Sequence, residues 1–176
     1  MTKEDAWIMT YTGRKVFPFA FTEDQIDIHD IAHALAHKCR FTGHCRKFYS
    51  VAEHSVLCAA ALAGTPFERE ALMHDAAEYI LPDIARPIKP YFPGFKELEH
   101  QIESIIARRF RLMHPWSDQV HEVDLRMVVT EGFLLMPDIS EWDIDAKRVI
   151  LDSPLGMSPE DAEAAFLDAC EQLGIK

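Results

Sequence analysis

His54, the adjacent pair His74-Asp75 and Asp124 can all ligate a metal, and they fall in segments whose apolar spacing predicts helices. His54 lies in the first turns of one predicted helix, within Tyr49-Ser50-Val51-Ala52-Glu53-His54. The doublet lies within Glu70-Ala71-Leu72-Met73-His74-Asp75-Ala76-Ala77-Glu78, and Asp124 lies among mostly apolar residues. Adjacent helical residues point about 100° apart, so His74 and Asp75 reach one ion only over the seam between them. Glu78 lies four residues beyond His74 and three beyond Asp75, and therefore shares their face. A His, an Asp and a Glu on one face of an apolar helix are costly to bury without a partner. A bound divalent ion supplies that partner. Neutral imidazoles with carboxylates suit Zn, Mn, Co or Fe better than Ca or Mg alone. The expected cofactor is therefore a divalent ion, drawn from Co, Mn, Zn, Fe and Mg.

These positions need a scaffold. A chain of 176 residues with 48% hydrophobic content predicts one domain with one core. Trp7 to Phe17 alternates weakly around Thr12-Gly13, as a small hairpin would. Helical periodicity runs from Asp27 to about Cys39, and Ser50 with Glu53 three residues on is a capping-box signature for the next helix. Phe67 to Leu81 is predicted as one continuous helix carrying the doublet and ending at Pro82. Further helices are expected over Phe95–Leu112, Ser117–Met136 and from Ser158-Pro159 to near Gly174. The result is an all-α bundle of about six helices with a small N-terminal β-hairpin. Its parts are an extension over 1–26, a helical core over 27–136 and a C-terminal loop and helix over 137–176.

Charge and composition exclude several classes. The net charge of −11 and a pI near 5.2 argue against binding to a nucleic-acid polymer or a membrane surface. No apolar run approaches a membrane span and the N-terminal residues carry no signal-peptide pattern, so a cytoplasmic setting is expected. Cys39, Cys45, Cys58 and Cys170 are irregularly spaced, as reduced thiols would be. Locally the charge inverts. Between Asp30 and Glu53 there is no acidic residue, yet Lys38, Arg40, Arg46 and Lys47 lie there, and Arg86 and Lys89 follow the doublet. Two basic segments beside a metal-ligating cluster suit a small anion such as a phosphate.

Other residues carry weaker signals. His29, His33 and His37 recur every four residues as a stripe on one helix face, with no carboxylate partner evident except Asp30 on a neighbouring face. The stripe reads as partly exposed. His37, Cys39, His44 and Cys45 are zinc-ligand types, but their spacing matches no common structural site. Phe133, Leu134 and Leu135 are assigned to the core, and Trp116 and Trp142 to the core or an oligomer contact.

The order His54, then His74-Asp75, then distant Asp124, on helices of an all-α chain, resembles the HD-domain phosphohydrolase superfamily. The segments Arg40-Phe41-Thr42-Gly43-His44, Tyr49 to His54, and His74 through Asp83 to Lys89 are similar to its 5′-deoxynucleotidase branch, with phage dATP triphosphohydrolases as relatives. The resemblance implies metal ligation by His54, His74, Asp75 and Asp124. It also implies a catalytic Glu78 that positions or deprotonates water, and an Asp83 near the deoxyribose that helps reject a 2′-hydroxyl. Arg40 and Lys89 would contact phosphate or sugar, and His44 the substrate or the outer shell of the metal. Phe41 stands where some relatives carry tryptophan. The implied activity is hydrolysis of deoxynucleoside monophosphates to deoxynucleoside and phosphate, with a dNTP (dATP) triphosphohydrolase or a non-catalytic nucleotide-binding regulatory module as alternatives. The expected partner is a deoxynucleotide substrate. A homo-oligomer is a further expectation from the resemblance.

Overall fold

The computed structural model describes residues 2–3, 5–151 and 154–176. Among them are six α-helices and one two-stranded antiparallel hairpin, as the sequence patterns predict. The hairpin pairs β1 (Ile8–Met9) with β2 (Lys15–Val16), Ile8 opposite Val16. Its turn is fastened to the bundle by Asp30, whose two carboxylate oxygens accept from the Thr12 amide at 2.7 Å and the Thr12 hydroxyl at 2.9 Å.

Helix α1 (Ile28–His37) begins at Asp27, which accepts from the His29 amide as an N-cap. Helix α2 (Val51–Ala61) begins at Ser50, whose hydroxyl accepts from the Glu53 amide at 3.1 Å. Only half of the expected capping box forms. The Glu53 carboxylate does not turn back to Ser50; it accepts from the amides of Gly156 and Met157 at 2.8 and 2.9 Å. Helix α2 packs against the first helix and against α3 (Glu68–Met73), α5 (Asp118–Leu135) and α6 (Pro159–Gln172). Its buried residues therefore lie on all sides, Val51 to Ser55 included, and His54 is fully enclosed. Helix α4 (Phe95–Phe110) buries Ile102 and Ile106, and α6 is capped by Ser158 with Pro159 in its first turn.

Two readings are corrected. The doublet helix is not continuous: α3 ends at Met73, His74 and Asp75 form a turn, and Ala76–Tyr79 is a 3₁₀ turn. Asp75 leaves helical geometry at φ −96°, ψ 10°, and the Ala71 carbonyl is taken by the His74 ring. Phe133 and Leu134 are exposed rather than core. On α5 they fall about 180° and 80° away from Asp124, whereas Leu135 returns inward and is buried. Trp116 is buried, and Trp142 stacks on Phe41 with ring centroids 5.9 Å apart. The stretch from Pro137 to Pro154 carries no helix or strand among its described residues; 152 and 153 lie outside them. No described helix is long and apolar enough to cross a membrane. All four cysteines are free.

Candidate metal centre

Three separate elements bring the predicted quartet together: His54 from α2, His74 and Asp75 from the turn after α3, and Asp124 from α5. The Nε2 atoms of His54 and His74 are 3.3 Å apart. Asp75 Oδ2 lies 3.6 Å from His54 Nε2 and 3.4 Å from His74 Nε2, and Asp124 Oδ1 lies 3.4 and 4.0 Å from the same two nitrogens. Both imidazoles present the correct atom. His74 Nδ1 meets the Ala71 carbonyl at 2.8 Å, and a carbonyl can only accept, so Nδ1 carries the proton and Nε2 the lone pair. His54 Nδ1 meets Glu131 Oε1 at 2.5 Å, which fixes that ring in the same way.

Cys58 joins this group one helical turn after His54, its Sγ 3.5 Å from His54 Nε2. The ligand atoms of His54, Cys58 and His74 lie within 4.8 Å of one another, a buried set that could hold a metal ion. The cysteine is on the closed side and fully buried, while the Asp75 and Asp124 side chains are 22% and 20% exposed and mark the open side. An ion seated toward the carboxylates is reachable from solvent; one seated toward the thiol is not. Burial also pushes the Cys58 thiol up, against the thiolate form that metals prefer.

Glu131 is the residue that sequence reasoning missed. Fully buried on α5, it accepts from Tyr49 OH at 2.8 Å, from His54 Nδ1 at 2.5 Å and from Arg40 Nε at 3.2 Å. Burial alone would raise its carboxyl, but Arg40, His54 and Tyr49 outweigh that and hold it ionised. A signal existed: Glu131 is seven residues after Asp124, hence on the same face of the same helix. His54 sits in balance among these charges. Burial and Arg40 press its imidazolium down, yet Cys58, Glu131 and Asp124 hold it well above the usual range. Asp124 is held well below the carboxylate range: burial opposes this, and His54, His74 and Arg40 prevail. The pocket thus attracts positive charge, which a proton or a metal ion can supply.

Glu78 follows the doublet by one turn, its amide donating to the Asp75 carbonyl at 3.0 Å, and its Oε2 is buried without a hydrogen-bond partner among the described residues. Burial first, then Asp75 and Asp83, push its carboxyl well above the usual range. The Asp83 carboxyl is also raised, chiefly by burial, with Arg40, Lys38 and Lys89 pulling the other way. Lys38, read as part of the first basic segment, instead donates to the backbone carbonyls of Glu78 and Leu81 and so ties down the turn carrying Glu78.

The predicted basic residues divide. Arg40 is buried and committed to protein, with Nη1 3.3 Å from Asp75 Oδ2 and Nε on Glu131. It acts on the site from behind, through Asp75. The following Phe41 and Thr42 take left-handed φ of 53° and 54°, a backbone found where surrounding contacts enforce it. Arg86, read with Lys89 as the second basic segment, donates to Asp124 Oδ2 at 2.8 Å and is 58% exposed at the open edge. Lys89 reaches Glu99 at 2.6 Å. His44 is exposed and makes no side-chain hydrogen bond among the described residues. His37, Cys39, His44 and Cys45 do not gather as a ligand group among the described residues. A groove of about 880 Å³ bounded by Val129, Phe133, Arg148 and Ile150 lies across α5 from the quartet and is not its cleft.

Fold and site together define a helical-bundle protein with a buried imidazole cluster able to hold a metal. The chain belongs to the family of the uncharacterized protein YfdR of Escherichia coli K12, with which it shares 40% identity over 140 residues, 79% of this chain and 78% of YfdR. It is also 36% identical over 116 residues to the uncharacterized protein RCAP_rcc00048 of Rhodobacter capsulatus, covering 61% of this chain and 59% of that one. No family model matches the chain.

Proposed function

We propose that this protein is a divalent-metal-dependent nucleotide phosphohydrolase of the HD-domain type, acting as a 5′-deoxynucleotidase. The observation that carries the proposal is the convergence of His54, His74, Asp75 and Asp124 next to the buried, unpartnered Glu78 Oε2. The donor set fits a divalent ion: two imidazole nitrogens with their lone pairs pointing inward and two carboxylates on the open side. When bound, such an ion polarises phosphoryl oxygens and lowers the pKa of water.

The protein's own groups do the rest. His54 and His74 would bind through Nε2, oriented by Glu131 and the Ala71 carbonyl. Asp75, backed by Arg40, and Asp124, bridged by Arg86, would complete the set. Glu78, whose Oε2 has no partner among the described residues, would position the attacking water or accept its proton. Arg86 at the exposed edge, and Lys89, would offset charge gathering on the phosphoryl group. Asp83 would face the sugar. Arg40 is assigned a positioning role through Asp75 rather than a phosphate contact, because both of its side-chain contacts go to carboxylates of the protein, Asp75 and the buried Glu131.

Purified chain supplied with Mn, Co or Zn is expected to release phosphate from deoxynucleoside monophosphates, less from ribonucleotides, and none after chelation. Triphosphate release from dATP would reassign it as a dNTP triphosphohydrolase. Inactivity on every nucleotide with metal bound would overturn the enzymatic reading in favour of a regulatory module.

The role of Glu131 is separately testable. Glu131→Gln keeps the volume but removes the charge facing His54 Nδ1. Metal affinity measured by titration is expected to fall roughly 10–100-fold. Unchanged affinity would confine Glu131 to packing.

A further inference from the structure

The histidine stripe of α1 acquires a carboxylate that no local motif announces: Glu163, on α6, places Oε2 2.9 Å from His33 Nδ1. The His33 and His37 rings lie one turn apart with centroids separated by 4.1 Å and planes tilted by 30°. One ligand atom from each of His33, His37 and Glu163 falls within 4.8 Å of the other two. We propose that His33 and His37 form a second metal site, distinct from the buried centre, with Glu163 of the last helix orienting His33 from behind. It would take a borderline transition ion of the zinc, nickel or copper class.

The imidazoles are set for this. His37 Nδ1 lies 2.9 Å from the His33 carbonyl, which only accepts, so the proton sits on Nδ1 and the Nε2 lone pair is free. His33 Nδ1 faces the Glu163 carboxylate, which leaves its Nε2 lone pair free as well. A carboxylate on one ring nitrogen and a metal on the other is the usual arrangement for a ligating histidine, and the carboxylate raises the ligand's basicity. Tyr11 from the hairpin turn stacks on the His33 face, centroids 3.7 Å apart and planes within 9°. Stacking occupies the face of the ring; coordination uses its plane. The Tyr11 contact therefore steadies the ligand without blocking it.

Accessibility and selectivity follow from position. His37 is exposed, while the His33 and Glu163 side chains are 27% and 21% exposed, so an ion can enter and retain water in its remaining positions. Two imidazoles select zinc, nickel and copper over magnesium and calcium. Asp30, the nearest acid in sequence, is not available, because both of its oxygens accept from Thr12. A third cluster, His100 with Glu103 and His114, provides the internal control.

Zinc titration of the full chain, stripped by chelation and dialysis, is expected to show a second ion per chain beyond the buried one. His37→Ala should abolish this second ion while leaving the first. Glu163→Gln should weaken it roughly 10–100-fold. An ion that binds the folded state alone stabilises it by mass action, so the zinc-induced rise in thermal midpoint should shrink by roughly 5 °C in His37→Ala. His37 is exposed, so the variant is expected to fold. An unchanged second ion in His37→Ala, or its loss in His100→Ala, would overturn this second site.

Discussion

Asp75→Ala is expected to strip the buried metal and extinguish turnover. Asp75 Oδ2 faces His54 Nε2 at 3.6 Å, His74 Nε2 at 3.4 Å and Arg40 Nη1 at 3.3 Å, so one truncation removes a ligand and releases the arginine behind it. Arg40 then stands buried with Glu131 as its remaining partner, its positive charge nearer the two imidazoles. Both effects disfavour a cation. The loss of affinity should exceed the roughly 10–100-fold typical of outer-shell changes. Elemental analysis after dialysis, paired with phosphate release, measures it. Full metal content at the buried centre would remove Asp75 from the ligand set.

Glu78→Gln should leave the metal in place and lower turnover by roughly a hundredfold or more, the range expected when a positioned base is lost. The amide matches the carboxylate in shape, so the 3₁₀ turn over Ala76–Tyr79 and its Lys38 anchors should persist. The contrast between the two variants is the informative part. Asp75 should affect metal content and rate together, whereas Glu78 should affect rate alone. Normal turnover in Glu78→Gln would leave its buried, unpartnered Oε2 without a catalytic explanation.

The parts of the site legible in the sequence were those written locally. A His-Asp doublet, an acid three and four residues on, and N-cap residues such as Ser50 and Ser158 need only their neighbours to be read. What the sequence concealed is pairing at long range. Glu131 meets His54 across 77 positions, Glu163 meets His33 across 130, and Lys38 reaches Leu81 across 43. The break at His74-Asp75 was hidden for a different reason. The segment has good helix formers, and only the tertiary demand to aim two adjacent side chains at one point favours a turn over the continuous helix. Phe133 and Leu134 were misassigned because an apolar run was read by composition rather than by helical phase.

Glu53 and His54 are neighbours in one turn of α2, and they divide the work of the fold between them. One looks toward the cluster; the other looks away and holds the backbone at Gly156 and Met157, just ahead of α6. Burial pushes the Glu53 carboxyl up, and those two amides pull against it. The final helix is therefore a structural foundation of the cluster rather than an appendage to it. A chain cut before residue 156 would leave an uncompensated carboxylate beside the first histidine of the quartet. The minimal folded unit is thus longer than the stretch from His54 to Asp124 that carries the quartet.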